Sequence, residues 1–230
     1  VKPLLSLASQ VASIIPPTTI TYLSTLQVYG DMFGGERIDE SREVRPRNVY
    51  GLTHAMCESG LQALSRKLGL RANIVRIANG YGPPIFPSAS FSWLAINDFC
   101  KSAVENREIV LNSDGTSQRD FVFVGDVAAA VRQACLSGEM SGDIYNVASG
   151  RTMSILDAAL LVSETHAASV SNEVKVVLPP GVSVRSEPIQ SKTFQVSISK
   201  GHAELGLSPT ISFRDGIVAT LGFYREQAVT

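Results

Sequence analysis

What this 230-residue chain is short of bounds its class before any motif is read. It has no excess of either charge, with a net charge of -1 and a pI near 6.4. There is therefore no basic footprint for nucleic acid and no charged run for a membrane surface. Its three cysteines, Cys57, Cys100 and Cys135, are widely spaced without a C-x-x-C pair, and its three histidines are equally scattered. That pattern argues against a disulfide framework and against a structural metal site. No apolar run approaches the ~18 residues of a membrane span, and the first residues lack the pattern of a secretory leader. These absences predict a reduced, cytoplasmic protein with no metal, no nucleic-acid partner and no membrane partner. A turn of the form G-x-G-x-x-G is also missing, the device that seats a dinucleotide pyrophosphate between a strand and a helix N-terminus.

What is present is the composition of an ordinary globular protein, 44% hydrophobic and 18% charged, enough for one large domain or two small ones. Strand-like and helix-like segments alternate, which predicts a parallel sheet with helices on its faces. A helix is expected from Val1 to Ile15, then a strand over 19–23, a long polar loop over 30–47 and a helix over 49–68. The apolar positions Leu52, Met56, Ala63, Leu64 and Leu68 mark the expected buried stripe of that helix, and Gly69 its cap. Strands over 73–77, 109–111, 121–124 and 144–147 alternate with helices over 92–106 and 126–136, and 80–84 reads as a sharp break. Ser154 to Asp157 and Ser212 to Asp215 have the spacing of capping boxes before two further helices.

One constellation carries chemistry. Tyr50 and His54 stand four apart at the start of the 49–68 helix, so both occupy one helical face. A tyrosine that must move a proton near neutral pH needs help, because its reference pKa is about 10. A permanent positive charge nearby favours tyrosinate. Histidine, with a reference pKa of about 6.5, is mostly neutral at pH 7 and supplies no such constant charge.

Four stretches, in order, then resemble one known family. They are Leu23-Ser24-Thr25-Leu26-Gln27-Val28-Tyr29-Gly30, Pro46-Arg47-Asn48-Val49-Tyr50-Gly51, Val75-Arg76-Ile77-Ala78-Asn79-Gly80-Tyr81-Gly82-Pro83, and Gln118-Arg119-Asp120-Phe121-Val122-Phe123-Val124-Gly125-Asp126-Val127-Ala128. Together they resemble the extended short-chain dehydrogenase/reductases, in particular the NAD-dependent epimerase/dehydratase branch acting on nucleotide sugars. A closing stretch from Ser199 to Pro209 is similar to that family's S-K-x-x-x-x-L-G-x-x-P.

The resemblance implies a role for each matching residue. Tyr50 stands at the place of the acid/base that exchanges the substrate's hydroxyl proton. Thr25 matches the residue that hydrogen-bonds the same oxygen, and His54 stands where the family carries a lysine that also binds the cofactor ribose. Asn79 matches a contact to the sugar nucleotide, and Arg119 one to its diphosphate, a role that suits the planar arginine fork. Arg119 could instead pair with Asp120 or Asp126. Arg185, in Arg185-Ser186-Glu187-Pro188, loosely matches a second diphosphate arginine. Leu26-Gln27 stands where the 4,6-dehydratases carry an acidic pair, which argues against a dehydratase.

The implied fold is α/β, a Rossmann-like parallel sheet lacking its glycine-rich N-terminal βαβ half, plus a smaller α/β substrate lobe. Residues 1–84 and 119–150 would form the cofactor-type domain, and 85–118 and 151–230 the substrate lobe. The chain reads as opening after the first βαβαβ unit, as a fragment, split protein or relic. Two functional readings follow. One is an NAD- or NADP-dependent nucleotide-sugar epimerase or related reductase, forming a homodimer. The other is a catalytically impaired relative that keeps the lobe as a nucleotide-sugar-binding or interaction module.

Overall fold

The computed structural model describes residues 1–14, 19–32, 35–86, 91, 93–137, 143–170, 172–182 and 193–228. Helix α1 (Lys2–Val11) leads to strand β1 (Thr19–Thr25) and a short 3-10 turn, Leu26–Tyr29. The two-residue strand β2 (Arg37–Ile38) precedes helix α2 (Val49–Leu68), strand β3 (Arg71–Ile77) and strand β4 (Asn79–Tyr81). Helix α3 (Ala95–Glu105), strand β5 (Glu108–Val110), strand β6 (Gln118–Phe123), helix α4 (Val124–Leu136) and strand β7 (Ile144–Val147) follow. Strand β8 (Thr152–Ser154), helix α5 (Ile155–Val170), strands β9 (Lys175–Val177) and β10 (Gln195–Val196), and helices α6 (Ser199–Leu205) and α7 (Phe213–Ala228) complete the described chain.

The central sheet is parallel, in the order β1-β3-β7. Its register runs from Thr19 opposite Arg71 to Thr25 opposite Ile77, and Ile77 lies opposite Val147 in β7. Side chains of β3 alternate between faces, as a pleated strand requires. Ala72 and Ile74 pack with Ala8 and Leu61, against α1 and α2. Val75 packs with Ala130, Ala134 and Tyr145, against α4. Helices on both faces of a parallel sheet make this the doubly wound α/β arrangement. A further core, built on Tyr81, Phe99, Ile109, Phe121, Val162, Ile217 and Leu221, joins α3, α5 and α7.

Three expectations need correction. Helix α1 stops at Val11 because Ser13 and Ile14 fold back onto the Gln10 and Val11 carbonyls, a tightened turn that ends the α-helical ladder. The expected break over 80–84 contains the end of β4, which pairs parallel with β6. Helix α2 turns the other way from its apolar pattern. Leu52, Met56, Ala63 and Leu68 are exposed, and the sheet-facing positions are Gly51, Ala55, Cys57, Glu58, Leu61 and Ser65. The reason is that polar residues of the sheet meet polar residues of this helix. Both capping boxes form, with Ser154 Oγ accepting from the Asp157 N–H and Ser212 Oγ from the Asp215 N–H.

Candidate active site at the carboxyl edge of the sheet

Open parallel sheets bind ligands beyond the carboxyl ends of their strands. Thr25 is the last residue of β1, and Asn79 follows just past the end of β3, its neighbour. The Thr25 hydroxyl, nearly buried, accepts from the Gln27 N–H at 3.2 Å. Its own hydrogen is left to donate.

Tyr50 reaches this edge because the start of α2 is pinned to the turn after β1. A Cβ on Gly51 would lie 2.6 Å from the Gln27 carbonyl oxygen, so only glycine lets the backbones approach this closely. Asn48 adds two ties: its side chain caps Gly51 and donates to Gln27 Oε1 at 2.8 Å. Gly30, at φ 72°, turns the chain away beneath Arg45, whose carbonyl oxygen would stand 2.0 Å from a Cβ there.

Tyr50 is 54% exposed, and its phenol makes no hydrogen bond among the described residues. Its ring centroid lies 4.6 Å from that of His54. The structure thus brings Tyr50 and His54 together, as the four-residue spacing predicts. It also adds Tyr22, which the sequence reading treated only as a strand residue. Tyr22 Oη and His54 Nδ1 are 2.9 Å apart. Burial pushes the Tyr22 phenol up, with Cys57, Glu58 and Tyr50 adding to the effect. Burial pushes the His54 imidazole down, against the opposing pull of Glu58.

One step deeper, Ser24 Oγ donates to Glu58 Oε1 at 2.5 Å, and Arg76 grips Glu58 through Nη2 at 2.7 Å and Nε at 3.1 Å. Both charged side chains are almost wholly buried, at 3% and 4%. The Arg76 guanidinium also lies 4.7 Å over the Tyr29 ring, whose hydroxyl donates to Asn146 in β7. The rungs Tyr22–His54 and Ser24–Glu58 match for a geometric reason. Two strand residues advance about 6.6 Å and four helical residues about 6 Å, so alternate residues of β1 meet every fourth residue of α2. That spacing was the available signal for Tyr22 and Glu58.

The substrate-side candidates form a second group. Asn79 Nδ2 donates to the Asp120 carbonyl at 2.9 Å, across the β4–β6 pair. Arg119 is exposed and donates only to Ser117 Oγ and the Gln118 carbonyl. It forms no ion pair among the described residues. Asp126 is engaged instead by the backbone N–H groups of Thr210 and Ile211. Asp120 is 1% exposed, accepts from the Ser149 N–H at 2.7 Å and leaves Oδ2 without a partner. Burial pushes its carboxyl up to about 6, partly offset by hydrogen bonds from Ser149, Gly150 and Arg151. No described contact joins the Asn79–Arg119 group to Tyr50. Arg185 lies outside the described residues.

With fold and site in place, comparison with known proteins defines the class. The model of the NAD dependent epimerase/dehydratase family matches residues 4–148. The chain belongs to that family. It is 29% identical over 210 residues to the dTDP-D-glucose 4,6-dehydratase of Homo sapiens, covering 89% of this chain and 56% of that protein. It therefore spans little more than half the length of this curated relative. Among solved structures it is similar in fold to RMD from Pseudomonas aeruginosa complexed with NADPH, at TM-score 0.78 and 23% identity, covering 98% of this chain and 73% of that one. The UDP-glucuronic acid 4-epimerase from Bacillus cereus in complex with NAD gives TM-score 0.78 at 22% identity, covering 97% and 66%. Among the described residues no helix is long and apolar enough to cross a membrane, and no cluster of His, Cys, Asp or Glu is suited to a metal.

Proposed function

We propose that this chain carries the substrate side and the proton-transfer side of an NAD- or NADP-dependent nucleotide-sugar epimerase or related reductase. The observation that carries the reading is positional. Thr25 ends β1 and Asn79 opens β4 just past the end of the neighbouring β3, at the carboxyl edge where the start of α2 also holds Tyr50 and His54. Tyr50 is the acid/base that exchanges the substrate's hydroxyl proton, and Thr25 donates to the same oxygen. Arg119, a guanidinium without a carboxylate partner among the described residues, suits a diphosphate, and Asn79 orients the sugar nucleotide beside it.

The residues fit a nicotinamide cofactor on its ribose side. His54 would hold a ribose hydroxyl through Nε2, which makes no hydrogen bond among the described residues, and a bound nicotinamide would supply the hydride acceptor. The pyrophosphate seat is another matter, since no G-x-G-x-x-G occurs in this sequence. In this reading residues 1–84 and 119–150 serve the cofactor and 85–118 and 151–230 the sugar nucleotide, in the cytoplasm. Leu26, buried, and Gln27, bound to Asn48, put no carboxylate where an eliminating dehydratase would need one.

Calorimetric titration of the purified chain with NAD and with NADPH tests the catalytic reading. Saturable heat at millimolar cofactor or below supports it. Its absence leaves the second reading, a nucleotide-sugar-binding module, which His54 in place of a lysine favours.

A further inference from the structure

Tyr22 stands outside the machinery proposed above, yet among the described residues it makes the one side-chain hydrogen bond of the His54 ring. Either group can donate in such a pair, so the surroundings decide. Tyr22 of β1 bonds the imidazole, Tyr50 and Glu58 of α2 act on it, Cys57 acts on Tyr22, and Glu58 is bound in turn by Arg76 of β3. Burial disfavours both the phenolate and the imidazolium, so the pair is a neutral phenol beside a neutral imidazole. If Nδ1–H donated to the phenol oxygen, the phenol hydrogen would have to find Cys57, whose sulfur is a weak acceptor. A phenol O–H is a stronger acid than a neutral imidazole N–H, and an unprotonated imidazole nitrogen is a better acceptor than a phenol oxygen, so the phenol donates to Nδ1.

We infer that Tyr22 is a positioning residue: its phenol donates to His54 Nδ1 and locks the ring as the Nε2–H tautomer. His54 then presents a fixed, neutral N–H donor one helical turn behind Tyr50. It serves there as a donor to a ligand hydroxyl and gives Tyr50 no constant charge. The ligand part of this statement rests on the function proposed above, and the tautomer part does not.

Nitrogen-15 NMR of histidine-labelled protein reads the tautomer directly, and only three histidines need assignment. In the wild-type chain His54 is expected with a proton on Nε2, an unprotonated hydrogen-bonded Nδ1, and a titration midpoint below that of an exposed histidine. In Tyr22→Phe, which keeps the ring, the Nδ1 resonance should move to that of a free acceptor. The midpoint should rise, because a bond favouring the neutral form is gone. A proton on Nδ1 in the wild type overturns the inference even if the variant does not fold. So does a Tyr22→Phe spectrum in which the His54 resonances are unchanged. Adding NAD separates the two proposals. A shift confined to Nε2 supports both, whereas no shift with the Nε2–H tautomer intact removes the cofactor role and leaves the positioning role standing.

Discussion

Asp120 and Arg119 sit side by side in β6 and face opposite fates. Among the described residues Arg119 lies at the surface without a carboxylate partner, whereas Asp120 is buried with one oxygen unpartnered. A carboxyl whose folded pKa is about 6, raised from 3.8, binds its proton more tightly in the native than in the unfolded chain. Its contribution is therefore complete below about pH 4 and is lost as the pH rises to about 6. The loss amounts to roughly 3 kcal/mol at 1.36 kcal/mol per unit. Asp120→Asn keeps an acceptor for Ser149 and never ionises, so its melting temperature should fall less than that of the wild type between pH 4 and pH 7. A parallel fall in both proteins, followed by thermal unfolding, would count against an ionising Asp120. At this scale much was legible. Tyr50, His54, Asn79 and Arg119 are candidates from their motifs, and the four-residue spacing of Tyr50 and His54 foretells their ring contact. Glu58 and Tyr22 are not, because their partners lie 18 to 34 positions away in sequence and only the strand-to-helix register joins them.

The element that governs the site is α2, held to the sheet by apolar packing of Leu61 on Ala72 and Ile74 and, nearer the site, by polar contacts. Ser24, Glu58 and Arg76 form a buried polar set between β1, α2 and β3, in which Arg76 Nη1 is left without a partner among the described residues. Removing one partner of a buried pair costs about 3–5 kcal/mol, because the other charge is left stranded. Glu58→Gln should accordingly lower the melting temperature by roughly 2–4 °C per kcal/mol, and it should blur the Tyr50–His54 pairing by loosening the helix. A Glu58→Gln protein melting within a degree of the wild type would show that the pair does not anchor α2. This polar face is also why the stripe of α2 was misread. An apolar pattern marks burial only when the facing sheet is apolar, and here the sheet offers Tyr22, Ser24 and Arg76. The strands β2, β4, β8, β9 and β10 escaped notice for a simpler reason, being only two or three residues long.

Two features of the assembled sheet stand out among the described residues. Strand β1 pairs only with β3 among the described residues, leaving one edge of the parallel sheet unpaired. On α2, Val49, Leu52 and Met56 follow one another at helical spacing and are 75%, 48% and 51% exposed. Such a stripe suits helix-to-helix association of two copies. We expect a concentration-dependent homodimer by analytical ultracentrifugation and a monomer after Leu52→Glu with Met56→Glu. A wild-type chain that stays monomeric at high concentration would rule this out.

The alternation of strands and helices made the α/β class readable from the sequence alone, whereas the open edge and the outward stripe are properties only of the assembled sheet. The central claim, that the carboxyl edge is a nucleotide-sugar site, is most directly tested by titrating UDP-glucose and dTDP-glucose into the wild type and into Arg119→Met. Saturable binding, weakened at least ~10-fold by the loss of a charge-assisted contact, is the expected result. Equal affinity in both proteins, or no binding at millimolar sugar nucleotide, would contradict it.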